Sequence, residues 1–146
     1  MKVWAYIHPE LNILCCALLK EAIPTEVKPI ELDVESTDDV VFDGIQIRLK
    51  TEEEKLQEEK QKKLNELKSL AQSIFSKTDY VVTKIAEAQI LELATVADLK
   101  KQYANVLQQR QEIRQIIASL KDRINKATTL EEVRAINIYS ELAKYM

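Results

Sequence analysis

The chain carries a single glycine, Gly44, and so has no phosphate-cradling loop, which needs several glycines for its N–H groups to close on the anion. It has one histidine, His8, and two cysteines that are immediate neighbours, Cys15 and Cys16. A closed zinc site needs spaced ligands that these residues cannot supply, so neither a metal centre nor any other cofactor is expected. Successive strand side chains point to opposite faces, and a bridge between neighbours would be strained, so both thiols are expected to be reduced and half-buried. His8 precedes Pro9, with no recognisable nucleophile and carboxylate motif around it, and reads as a surface turn residue. No positioned acid, base or nucleophile is visible, which points away from an enzyme and towards a binding or structural protein.

Long apolar runs are missing too. None reaches the roughly 20 residues a membrane-spanning helix needs, and the N-terminus lacks a basic segment followed by a continuous apolar stretch. No membrane partner is expected, and cytoplasmic synthesis is the default. Aromatic residues are 5% of the chain, and no basic stripe accompanies Trp4, Tyr6, Phe42 and Tyr80, so these are expected in core and edge packing rather than in a stacking platform. The net charge of −3 hides an asymmetry: residues 1–50 carry 5 Lys+Arg against 9 Asp+Glu, and residues 51–146 carry 16 against 15. An acidic first third argues against nucleic acid, whose phosphates require clustered cations.

What is present divides near residue 51. A chain of 146 residues fits one domain or a small head joined to a helical hairpin, and the glycine and all three prolines fall in the first third. Lys2 to His8 alternates around Val3, Ala5 and Ile7 as a strand, Pro9 to Asn12 turns it, and Ile13 to Leu18 runs back. A short helix or loop fits Leu19 to Ala22. Glu26 to Val34 reads as another strand, which Pro29 confines to an edge. Val40 to Phe42 and Ile45 to Leu49 flank Asp43-Gly44, the signal for a type I′ hairpin. Thr51 and Glu54 then form a capping box, with Glu52 to Glu54 where a helix dipole favours negative charge. Glu52 to Lys63 is nearly all charged, with Leu56 its one apolar residue, and is expected to stand in solvent as a stalk, its glutamates paired along the helix with Lys55, Lys60, Lys62 and Lys63. Leu64, Leu67, Leu70, Ala71, Ile74 and Phe75 then recur at helical spacing to an end near Lys77.

A second helix carries the clearest period: Val96, Leu99, Tyr103, Val106, Arg110, Ile113, Ile117, Leu120 and Ile124 alternate spacings of three and four. This is a heptad seam with Arg110 its one polar member. Its simplest partner is Leu64 to Phe75 in an antiparallel hairpin, with the excess covered either by the C-terminal segment or by a second copy of the chain. Thr128 or Thr129 caps a short last helix through Leu130, Val133, Ile136, Ile138 and Leu142. The predicted fold class is therefore α+β: a small N-terminal antiparallel β module, 1–50, then a helical hairpin or coiled-coil region with a short C-terminal helix, 51–146.

Arg110 must be paired, bonded to backbone or solvated through a gap. Asp79, in the segment taken to link the two helices, is its expected partner, with Arg114 as the other cation able to reach back. Tyr80, Tyr103, Ile113, Ile117 and Leu120 complete the set expected to bind a partner or organise the helices.

Residues 64 to 120 resemble small bacteriophage tail proteins: a leucine-bearing helix, Thr78-Asp79-Tyr80 running into Lys84-Ile85-Ala86-Glu87, then a helix with Arg110-Gln111-Glu112-Ile113-Arg114. The strand Lys2 to Ile7 and the Asp43-Gly44 hairpin look like the small β head of tail fibre-associated proteins. The chain departs from that pattern at Ile113, where relatives are commonly aromatic, and over Ala88 to Ala97, which is shorter in them. The resemblance implies a non-enzymatic tail protein that partners a tail fibre or baseplate protein as an adaptor or assembly chaperone, in the host cytoplasm during assembly and in the virion tail if retained. An apolar helical seam could exchange self-packing for a fibre, and Ile13 to Leu18 or Glu26 to Val34 could add an edge strand to it. The alternative is a phage-encoded, host-directed inhibitor docking through the acidic residues of 31 to 43, Glu31, Asp33, Asp38 and Asp39 among them.

Overall fold

The computed structural model describes every residue, Met1–Met146. The chain is α+β and forms two compact units, Met1–Lys55 and Leu56–Met146. No helix is long and apolar enough to cross a membrane.

The first unit holds five strands: β1 (Lys2–Ile7), β2 (Leu14–Ala17), β3 (Ile30–Asp33), β4 (Val40–Phe42) and β5 (Ile47–Leu49). β1 is the centre of an antiparallel sheet ordered β2-β1-β3, and β4 and β5 pair separately. The register sets Ala5 opposite Cys16 and Val3 opposite Leu32, so one face gathers apolar side chains. Val3 and Ala5 are fully buried there beside Val34 and Val40. Cys16 lies partly buried against this core, Cys15 is on the opposite face, and both are free thiols. Burial pushes the Cys16 thiol up from its ordinary range.

Side chains make these turns where glycine is scarce. His8 Nδ1 accepts from the N–H groups of Glu10 and Leu11, at 3.2 and 3.1 Å, and Asn12 takes the positive φ of 54° that closes the β1–β2 loop. The β4–β5 turn is not type I′, which needs two positive φ values: only Gly44 has one, at 88°. Asp43 instead turns its carboxylate back on the turn, accepting from Ile45 and Gln46 N–H, both at 2.9 Å. β3 is also shorter than the expected strand, because Pro24 to Val27 forms a turn closed by a Val27 N–H to Pro24 carbonyl bond. It does run along an edge, beginning just after Pro29.

Six helices follow: α1 (Glu52–Ser76), α2 (Asp79–Ile90), α3 (Val96–Gln102), α4 (Ala104–Lys126), α5 (Leu130–Ala135) and α6 (Ile138–Leu142). The capping box forms at the start of α1, Thr51 Oγ1 accepting from Glu54 N–H at 3.2 Å while Glu54 Oε1 accepts from Thr51 N–H at 3.3 Å. The segment taken as a linker, Thr78 to Glu87, is largely the helix α2, whose Val81, Ile85 and Ala88 are buried at helical spacing. The second helix bends at Tyr103 into α3 and α4, yet Tyr103 N–H still reaches the Leu99 carbonyl and Leu107 N–H the Tyr103 carbonyl, both at 3.0 Å. The last helix is also two: Thr129 caps α5, and Asn137 Oδ1, accepting from Ser140 N–H, starts α6.

From Ile113 onward the seam is filled within one chain. Leu67 and Ile74 of α1 meet Ile113, Ile117, Leu120 and Ile124 of α4, and Ile136, Ile138 and Leu142 complete this core. Ile113, Ile117 and Leu120 are thus core residues of the helical unit, whereas the earlier seam positions Val96, Leu99, Tyr103 and Val106 fall outside that core, along α3 and the start of α4, with Tyr103 meeting Tyr80 of α2. Nor is Glu52 to Lys63 a solvated stalk. Leu56 is buried with Ala127 and Val133, Lys60 donates to the Asn125 carbonyl at 3.0 Å, and Lys63 donates to the Ile136 carbonyl at 2.7 Å. Two lysines thus answer carbonyls that the ends of α4 and α5 leave over.

Two outcomes follow from these contacts. Leu120→Ala should lower the unfolding free energy by about 2–5 kcal/mol, and Leu93→Ala, at a half-exposed site, by about 0.5 kcal/mol or less in the same urea titration. The bonds from Gln46 and Ile45, then Arg48, hold the Asp43 carboxyl below the usual range. A depressed carboxyl stabilises above its unfolded value, and that contribution goes as pH falls through the folded one. The amide shifts of Ile45 and Gln46 should therefore titrate with a midpoint below about 3.9, and Asp43→Asn should abolish the titration while keeping the turn.

Candidate functional site

The expected site residues lie in the helical unit, and they divide between core and junction. α1 ends at Ser76, leaving carbonyls of its last turn without helical partners, and α2 begins two residues after Lys77 with Asp79. Arg110 reaches this gap from α4. Its Nη1 donates to the Phe75 carbonyl at 3.1 Å and to Thr78 Oγ1 at 2.7 Å, and its Nη2 pairs with Asp79 Oδ1 at 3.1 Å. The guanidinium lies 4.8 Å from the centre of the Phe75 ring. One cation thereby answers the negative end of α1 and the carboxylate that begins α2. Arg110 is the one buried charged residue, 8% exposed, and its Nε is left without a partner.

Arg114 sits a turn further along α4, exposed, with its guanidinium 5.7 Å from the same phenyl ring and no carboxylate partner. It does not share Asp79. Tyr80 and Tyr103 meet edge to face at 6.2 Å, and the Lys84 ammonium lies 5.6 and 5.9 Å from the two ring centres. Tyr80 is 53% exposed and Phe42 46%, which places both at edges rather than in the core. Ile113, Ile117 and Leu120 stand apart from the junction as core residues.

Three participants escaped the sequence reading. The Phe75 carbonyl has no residue-type signature at all. Thr78 did have one, a hydroxyl residue before the spaced Val81, Ile85 and Ala88, as does any helix N-terminus. Lys84 is placed by α2, which was taken for a link. The arrangement positions helices: apart from Arg110 Nε, the polar atoms it gathers bond to one another, and no cluster of His, Cys, Asp or Glu is placed to hold a metal ion.

In the first unit, the acidic stretch is mostly answered from within. Asp33 pairs with the Met1 amine at 2.9 Å, Glu31 with Lys2 at 3.0 Å, Asp39 with Lys55 at 3.8 Å and Asp43 with Arg48 at 3.1 Å, which leaves Glu35 and Asp38 without an ion pair. No family model matches the chain, and no curated protein or solved structure does either.

The junction makes an asymmetric prediction. Arg110→Ala strips the Phe75 carbonyl and Thr78 hydroxyl of a charged donor and should cost about 2–4 kcal/mol. Asp79→Ala removes a carboxylate whose side chain is 60% exposed and should cost about 1 kcal/mol or less. Equal losses in urea titrations would mean that the ion pair, and not the carbonyl and hydroxyl bonds, holds the junction.

Proposed function

We propose that the chain is a non-enzymatic bacteriophage tail protein that binds a tail fibre or baseplate protein through its helical unit, as a structural adaptor or an assembly factor. The observation that carries this reading is a convergence. Thr78 and Asp79, from one piece of sequence that resembles phage tail proteins, bond to Arg110, from another piece more than thirty residues on. The intervening piece joins them through Lys84, which faces the Tyr80 ring. An adaptor also needs a rigid frame with apolar surface left over. The junction supplies the frame, and Tyr80, Val82, Ile90, Leu91 and Leu93 are exposed on α2 and the loop after it. A host-directed inhibitor docking through acidic residues 31 to 43 has less support, because four of its six carboxylates already face cations.

Quantitative mass spectrometry of purified phage particles and of tail intermediates from the lysate tests the proposal. Stoichiometric presence in particles is expected of an adaptor, and presence on intermediates alone is expected of an assembly factor. Absence from both would sink the tail reading.

A further inference from the structure

The α1–α4 pair is covered by α5 and α6 on one face and open on another. The open face is a groove of about 900 Å³ whose floor includes Leu64, Ala71, Phe75 and Ile117. The α1 side of the groove runs from Gln61 to Phe75, which at 1.5 Å per residue is about 21 Å, the length of four helical turns. Arg110 Nη1 at the Phe75 carbonyl and Lys60 at the Asn125 carbonyl fix α1 and α4 antiparallel along it. Two antiparallel helices with an apolar trough between them are the half-site of a three-helix bundle.

The charges along this trough say what would fill it. Lys68, Arg114 and Lys121 line it, and none of the three pairs with a carboxylate. The only acidic lining residue, Asp79, is already engaged by Arg110. The neighbouring grooves are mixed instead: one has Glu58 and Glu66 with Lys62, another Glu112 and Glu141 with Lys144. A second copy docked face to face by a twofold axis would set these cations against their own equivalents, which is unfavourable.

We infer that the α1–α4 groove docks an amphipathic helix of a partner protein, about four turns long, whose apolar stripe is flanked by Asp or Glu. The inference rests on the reading that the helical unit is the binding part, and it names the chemistry of what that unit binds.

The probes are two fluorescein-labelled 18-residue helical peptides with the same Leu/Ala stripe, one flanked by Glu and one by Lys, titrated with the full chain in a fluorescence anisotropy assay. The Glu peptide should bind at least tenfold tighter than the Lys peptide, with the preference shrinking as salt rises. In Lys68→Glu/Lys121→Glu, both exposed positions, the order should reverse while the thermal midpoint stays put. Amide shifts on Glu-peptide addition should cluster in residues 61–75 and 114–125. Equal affinity for both peptides, no binding, shifts elsewhere, or a dimer by ultracentrifugation that protects this groove would overturn the inference. Such a failure would leave the particle measurement untouched, just as absence from particles would leave a peptide-binding groove standing.

Discussion

The helical unit depends on one guanidinium. Arg110 occupies a seam position where leucine would pack without an orphaned donor, and it carries an unpartnered Nε as a cost. In exchange it fixes three elements at once: the last turn of α1, the first residue of α2 and the α4 helix from which it projects. A buried ion pair alone is weak ground for stability, since desolvation cancels much of the attraction. Here the carboxylate is the most exposed of the partners. The carbonyl and hydroxyl are the groups that would suffer without the guanidinium, so the bond set acts chiefly as a register device for where α2 leaves α1.

The same logic recurs at lower stakes wherever an element stops. Lys60 and Lys63 bind carbonyls at the C-terminal ends of α4 and α5, Thr51, Thr129 and Asn137 start helices, and His8 and Asp43 close strand turns. A chain with one glycine has little access to left-handed backbone. It turns by side-chain hydrogen bonds instead, with Asn12 and Glu92 the non-glycine residues that accept positive φ.

This explains which parts were legible in sequence. Period and capping chemistry are local, so the strand at Lys2, the edge strand after Pro29, the Thr51 start and the heptad seam could be read directly. The Arg110–Asp79 pairing was legible because a charge on an apolar seam demands a partner. Failures arose where tertiary packing chose between local options. A charged helix start can stand in water or answer carbonyls elsewhere, and nothing in Lys60 or Lys63 says which. Thr78 to Glu87 has the spacing of a helix, but the strong patterns on either side made it look like a link. The turn lies one position beyond the Asp43-Gly44 pair, because the Asp43 N–H closes on the Gln46 carbonyl, with Gly44 and Ile45 between them, and the Asp43 carboxylate adds two bonds that residue type alone does not announce.

The cover of the α1–α4 core comes from Ile136, Ile138 and Leu142, which follow both helices in the chain. The core that α1 and α4 share is thus sealed by side chains belonging to neither helix, so the pair and its cover form one cooperative body rather than a hairpin with an appendage.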